Sequence, residues 1–251
     1  MKALILSAGQ GRRLLPLTQD RPKSSLAVAG RSLLQWQLTE LAKTRINEVV
    51  VITGFAASVL EDIVQRTQQP PTRTLYNPFY AQSDNLGTCW IAREEMQEPF
   101  LLINGDTLFE ATIVERLLDH SEQFPITLAM DRKQDYDDDD MKVIVAGTQL
   151  QRVGKQLERD AVNGESIGMM VFRGEGPALF RRKLDQIMRH DEGRGRWYLS
   201  AIDELAHLSQ VGVHCIEDLS WCEVDDARDL EHAQVVVSNW PVLSSEASAA
   251  T

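Results

Sequence analysis

The chain has 251 residues, enough for one large or two small domains with a substantial hydrophobic core. Its formal net charge of −11 argues against a general nucleic-acid or anionic-membrane surface, so any site for anions must be local. Three cysteines, Cys89, Cys215 and Cys222, lack C-x-x-C spacing and suggest reduced thiols in a cytoplasmic protein rather than disulfides or a zinc cluster. The apolar runs are only strand-sized and no leader pattern opens the chain, so no membrane insertion is expected.

Ala3 to Leu6 reads as a short buried strand, followed at once by Gly9 and Gly11. Glycines at that spacing let main-chain N–H groups converge on an anionic oxygen. Arg12, Arg13 and Lys23 add cations, and Pro16 and Pro22 keep the intervening loop extended and non-helical. A Rossmann loop would need a third glycine where Leu14 stands, and the P-loop pattern G-x-x-x-x-G-K-[ST] is absent. On spacing alone, G-x-G also fits a plain tight turn.

Ser32 is placed to cap a helix running to about Ala42. Glu48 to Thr53 reads as a strand, Ala56 to Gln68 as an amphipathic helix and Thr72 to Tyr76 as another strand. This rhythm predicts an α/β fold, a doubly wound and mostly parallel sheet whose ligands sit at the carboxyl ends of its strands. A polar, turn-rich stretch from Asn77 to Asn85 precedes a helix over Thr88 to Met96. Phe100 to Asn104 is the next buried strand, and it delivers Asp106 where a carboxylate either holds Mg²⁺ against phosphate oxygens or caps a turn.

A helix over Thr112 to His120 and a strand over Ile126 to Met130 lead into the acidic run Asp137 to Asp140. That run is either a solvated loop or an approach to a cationic head group. Met141 to Ala146 and Leu150 to Gly154 read as a hairpin, and Glu165 to Arg173 as a strand. Gly176 to His190 is an amphipathic helix, and another follows Trp197 and Tyr198. These two aromatics are core residues or a wall around a quaternary ammonium. Val211 to Ile216 is a late strand. Asp226, with Asp229 at N3, is expected to cap a helix over Ala227 to Val237. The reading gives one domain over residues 1–238 and a mobile tail over 239–251.

The ordered string G-x-G-x-R (Gly9 to Arg13), P-L-T (Pro16 to Thr18) and R-P-K (Arg21 to Lys23) resembles the signature of nucleotidyltransferases that make NDP-sugars and related activated metabolites. The resemblance continues through G-E-S-I-G (Gly164 to Gly168) and W-C-E-V-D (Trp221 to Asp225) to about Ala233. It implies a nucleotidyltransferase fold with an inserted β-rich acceptor region. It also implies that Leu6, Ala8, Gly9 and Gly11 meet the nucleoside triphosphate, Arg13 the pyrophosphate, and Lys23 the phosphates at the reacting centre. Arg12 falls at a variable position. Asp106 would meet both nucleotide and metal, and Asp225 would supply the second Mg²⁺ carboxylate, with Glu223 as a helper.

The Asn-led segment N-L-G-T-C-W-I-A-R (Asn85 to Arg93) resembles the CTP-dependent enzymes that activate phosphocholine or aminoalkylphosphonates. Gln82 and Asn85 are candidates for reading the base edge, or are loop and cap residues. By the same resemblance Lys142 would touch the substrate phosphate and Glu165 would line the acceptor pocket, although Glu165 reads equally as a strand-edge acid; Trp197 joins them as an acceptor-site candidate on its aromatic ring. The implied reaction joins CTP to a small phosphorylated or phosphonate acceptor, with a sugar 1-phosphate or inositol 1-phosphate as the alternative acceptor. A non-catalytic nucleotide-binding subunit is the rival of another class. Whether the chain forms a homo-oligomer is left open.

Overall fold

The computed structural model describes residues 1–120 and 123–240. The first half contains β1 (Lys2–Ser7), β2 (Ala27–Val28), β3 (Arg31–Ser32), α1 (Leu33–Leu41), β4 (Glu48–Thr53), α2 (Ala57–Arg66), β5 (Thr72–Tyr76) and α3 (Asn85–Ile91). It continues with β6 (Phe100–Asn104), β7 (Thr107–Phe109), α4 (Ala111–His120), β8 (Ile126–Asp131), β9 (Lys142–Ala146) and β10 (Gln149–Gly154). The last part holds β11 (Gly164–Phe172), α5 (Gly176–Met188), α6 (Tyr198–Ala206), β12 (Val211–Cys215), β13 (Trp221–Glu223) and α7 (Ala227–Ser238).

Nine strands form one sheet in the order β5-β4-β1-β6-β11-β8-β12-β10-β9. The four strands of the N-terminal half are parallel to their neighbours, as the strand–helix rhythm predicts. β11 then enters antiparallel between β6 and β8, and the β9–β10 hairpin closes the far edge. The sheet is therefore mixed, with an all-parallel part under the glycine loop and a second part that is antiparallel except where β12 pairs parallel with β8.

Both faces are covered, and the two-residue period of the strands divides the core in two. Leu4, Phe100 and Leu102 pack with α3, α5 and α6 on one face. Ala3, Ile5, Leu101 and Ile103 pack with α1, α2 and α4 on the other. A third cluster joins α7, with Val224 and Leu108, to Leu14 and Trp36.

Ser32 caps α1 in a reciprocal pair with Gln35, and Asp226 caps α7 in the same way with Asp229. The helix expected from Thr88 starts at Asn85, because Asp84 accepts the Asn85 N–H and begins the turn early. The glycine loop is less extended than its prolines suggest: single 3₁₀ turns occur at Arg12–Leu14 and Lys23–Ser25. Of the tail expected over residues 239–251, the first two residues are described, and the second is packed. Trp240 is buried edge-on against Trp36 and donates to Ser220 Oγ at 2.8 Å. The rest of that tail, residues 241–251, lies outside the described residues. No helix among the described residues is long and apolar enough to cross a membrane.

Candidate active site

The site stands at the carboxyl ends of β1 and β6, where Leu6 pairs with Asn104 and the chain leaves both strands through glycine-bearing turns. The Gly105 N–H donates to the Leu6 carbonyl at 3.0 Å. A Cβ at Gly105 would lie 2.5 Å from that oxygen, so the close crossing of the two turns requires glycine. Ser24 Oγ donates to the Gly105 carbonyl at 3.0 Å. Gln37 Nε2, on α1, donates to the carbonyls of Asn104 and Thr107, each at 2.8 Å. Asp106 is thus presented on a turn clamped from both sides.

The partner carboxylates arrive through a ribbon that sequence reasoning missed. β13 pairs antiparallel with β7, setting Glu223 opposite Thr107, and the Val224 N–H donates to the Asp106 carbonyl at 3.1 Å. Carboxylate oxygens of Asp106, Glu223 and Asp225 consequently lie within 4.8 Å of one another. Lys23 Nζ sits 2.6 Å from both Asp106 Oδ2 and Asp225 Oδ1. Arg13 reaches Asp225 at 2.7 Å and Asp139 at 2.8 Å.

Three acids this close cannot all ionise freely. Burial of its carboxyl end and the like charges of Asp106 and Asp225 push Glu223 up to about 8, although the residue as a whole keeps exposed surface. Burial alone would lower the Lys23 ammonium, but the two aspartates outweigh it and raise it. Asp106 Oδ1 is buried and has no hydrogen-bond partner among the described residues. An orphaned carboxylate oxygen inside an all-oxygen cluster matches what a hard divalent cation takes as ligands.

Two small cavities meet over Asp106. The first, about 210 Å³, is lined by Leu6, Gly9, Gly11, Lys23, Asn85 and Asp106 among others. Gly11 has φ +78°, and a Cβ there would lie 2.7 Å from the Lys23 Cβ. Ala8 is buried behind the loop, its carbonyl accepting from the Phe55 N–H. Gln82 lies apart, exposed in a different depression with Gln10 and Arg12. Asn85 does line the cavity, but its Oδ1 already accepts from the Tyr198 N–H at 2.8 Å, which leaves Nδ2 as the group it can offer.

The second cavity, about 180 Å³, is lined by Arg13, Lys155, Trp197, Glu223 and Asp225 as well as Asp106. Lys155, which sequence reasoning passed over, stands 4.9 Å from the centre of the Trp197 ring and 3.0 Å from Asp139. Only its place just past the strand end of β10 hinted at a role. Tyr198 is core and no part of an aromatic wall: it is fully buried and donates to Asn104 Oδ1 at 3.0 Å.

Glu165, expected in the acceptor site, lines neither of these cavities. It is buried against Lys133 at 2.9 Å, and burial pushes its carboxyl up to about 7 against the opposing pull of Lys133. Lys142 lines a third, neighbouring cavity instead.

The MobA-like NTP transferase domain model matches residues 3–211. The chain belongs to this family. A CMP-5'-(3-aminopropyl)phosphonate synthase of Streptomyces rubellomurinus is 27% identical over 93% of this chain and 38% of its own length. A choline-phosphate cytidylyltransferase of Streptococcus pneumoniae is 28% identical over 44% of this chain and 47% of its own. A CTP:phosphoglutamine cytidylyltransferase of Campylobacter jejuni is 22% identical over 92% of this chain and 98% of its own. The match thus spans less than half of the first two relatives and nearly all of the third.

Two solved structures share the fold. The CTP:phosphocholine cytidylyltransferase of Streptococcus pneumoniae superposes with TM-score 0.77 at 19% identity, covering 94% of this chain and 98% of the other. The inositol-1-phosphate CTP transferase of T. maritima gives TM-score 0.79 at 18% identity, covering 96% and 98%.

Proposed function

We propose that this chain condenses CTP with a small phosphorylated or phosphonate acceptor, releasing pyrophosphate. The observation that carries the reading is the convergence of Asp106, Glu223 and Asp225 on Lys23 and Arg13 beside the glycine loop. An acceptor oxygen attacks the α-phosphorus in line, forming the new P–O bond as the bond to the β-phosphate oxygen breaks, and pyrophosphate leaves with that electron pair. Phosphate and phosphonate oxygens are already ionised near neutrality, so no general base is required. The protein's task is to neutralise and align two anions.

In this reading Lys23 neutralises charge at the reacting phosphates and Arg13 stabilises the departing pyrophosphate. The main chain at Gly9 and Gly11 accommodates the triphosphate. Asn85 Nδ2 is the donor available to a base edge, and Lys155 stands where an acceptor phosphate enters the second cavity. Asp106 and Asp225, with Glu223 beside them, are the residues that would hold Mg²⁺. When bound, such an ion supplies positive charge to the phosphate oxygens.

The CTP preference draws on the relatives that are themselves named as CTP- or CMP-handling enzymes. The same names, with the sequence resemblance, make phosphocholine and aminoalkylphosphonates the first acceptors to try. The test is pyrophosphate release with Mg²⁺, crossing CTP, UTP, dTTP, ATP and GTP against phosphocholine, 2-aminoethylphosphonate, inositol 1-phosphate and sugar 1-phosphates. Release with CTP and a phosphate or phosphonate acceptor is expected; release confined to a sugar 1-phosphate with UTP or dTTP would overturn the substrate assignment.

A further inference from the structure

Beside the reacting centre lies a larger cavity of about 640 Å³, lined by Lys142, Lys155, Arg159, Gln156, Trp197 and Asp138 among others. It shares Lys155 and Trp197 with the cavity over the carboxylates, so the two are contiguous along these side chains. Three cations and one carboxylate line it, in a protein whose net charge is −11. A positive recess in an acidic protein is a local selection for anions.

Lys142 carries most of the argument. It is only 2% exposed, and its Nζ donates to the Lys155 carbonyl at 3.0 Å and, at the limit of a hydrogen bond, to the Asp140 carbonyl at 3.5 Å. An ammonium has three donors, and among the described residues no carboxylate is within ion-pair distance of this one. A buried cation without a counter-ion is costly, and an anionic ligand relieves that cost on binding.

The features a cationic head group would need are already engaged. The Lys155 ammonium lies over the Trp197 ring. Asp138 pairs with Arg159 at 2.9 Å, Asp139 with Arg13 and Lys155, and Asp140 with Lys133 at 2.7 Å. Three of the four carboxylates of the acidic run are therefore paired with the protein's own cations, and the fourth, Asp137, accepts the N–H groups of Asp139 and Asp140. The Arg159 to Asp138 pair is solvent-exposed and opens at little cost to either partner; what tips the recess towards an anion is Lys142, buried and with no carboxylate beside it among the described residues.

We infer that the acceptor carries, besides the phosphate or phosphonate that attacks, a second anionic group bound by Lys142 and Arg159, with Lys155 standing between the two groups; this rests on the nucleotidyl-transfer reading and narrows its substrate class. O-phosphoserine and phosphoethanolamine differ by one carboxylate and form the decisive pair. With CTP and Mg²⁺, kcat/KM for phosphoserine is expected to exceed that for phosphoethanolamine by about tenfold or more, the scale of a charge-assisted hydrogen bond. Lys142→Met and Arg159→Gln should each draw that ratio towards one. Arg159 is on the surface, so its variant decides the matter even where Lys142→Met fails to fold.

Equal or better turnover of phosphoethanolamine or phosphocholine by the wild type overturns the inference and leaves cytidylyl transfer standing. If CTP gives no turnover with any acceptor, the cytidylyl-transfer reading falls. Calorimetry on the same protein then decides the inference, which is overturned if phosphoserine binds no more tightly than phosphoethanolamine.

Discussion

Lys23 is the most informative residue to remove, because its loss should weaken one property and strengthen another. Its ammonium lies 2.6 Å from each of two carboxylates, with only 14% of the side chain exposed. At an effective dielectric of about 20, each pair represents about 6 kcal/mol of Coulomb attraction, most of it offset by desolvation. Breaking a buried pair by deleting one partner typically costs about 3–5 kcal/mol. Asp106 and Asp225 keep 19% and 23% of their side-chain surface, so Lys23→Met should cost about 2–4 kcal/mol, towards the lower side of that range.

The same deletion removes a positive charge from the place where a cation would meet these carboxylates. Metal affinity without nucleotide should therefore rise, by about tenfold to a hundredfold. Turnover should fall by about 10²- to 10³-fold, the usual loss when one electrostatic contact to a reacting phosphate is removed. Urea unfolding, calorimetric titration with Mg²⁺ or Mn²⁺, and pyrophosphate release measure the three quantities on one preparation. A folded variant that binds metal no better than the wild type would refute the claim that the ammonium and the ion compete for one carboxylate cluster.

Asp106→Asn keeps the shape of the side chain but removes the charge and offers an amide in place of one oxygen, so pyrophosphate release should fall by about 10³-fold with the circular dichroism spectrum unchanged. Near-normal turnover would remove Asp106 from the site. Gly11→Ala places a Cβ in a left-handed backbone conformation and against Lys23; it should cost about 1–2 kcal/mol in urea unfolding and raise KM for CTP. Glu165 binds its proton more tightly folded than unfolded, so its contribution to stability is full below its ordinary value of 4.5 and declines as pH rises to about 7. Glu165→Gln should flatten that part of the profile, and stability curves of equal slope for variant and wild type between those pH values would contradict the burial argument.

Much of the framework was legible from local pattern. β4 and β6 lie where their apolar runs place them and β5 where its Thr- and Tyr-rich stretch does, and the caps at Ser32 and Asp226 follow from short-range hydrogen bonding. What local pattern missed depends on long-range pairing. Local pattern leaves Asn85 between a base-reading amide and a loop or cap residue, and it does not show that Tyr198, over a hundred residues on, donates to its Oδ1. Glu165 looked like a pocket acid and proved to be tied to Lys133, while Lys155 drew no notice and proved to stand between two cavities.

By itself the sequence determined the strand–helix alternation, the glycine loop after β1 and the charged residue types the chemistry calls for. Those are consequences of side-chain period, backbone freedom and charge, which act over a few residues. Only the tertiary structure decided which charges share a site. The three-residue β7–β13 ribbon is too short to announce itself in sequence, yet its register carries Glu223 and Asp225 to Asp106 across more than a hundred residues. The same holds for the acidic run, whose letters suit a solvated loop or a cationic ligand: the carboxylates of Asp138, Asp139 and Asp140 are taken by Arg13, Lys133, Lys155 and Arg159, and that of Asp137 by N–H groups of its own loop. Coulomb interaction depends on distance in space, and only packing sets that distance.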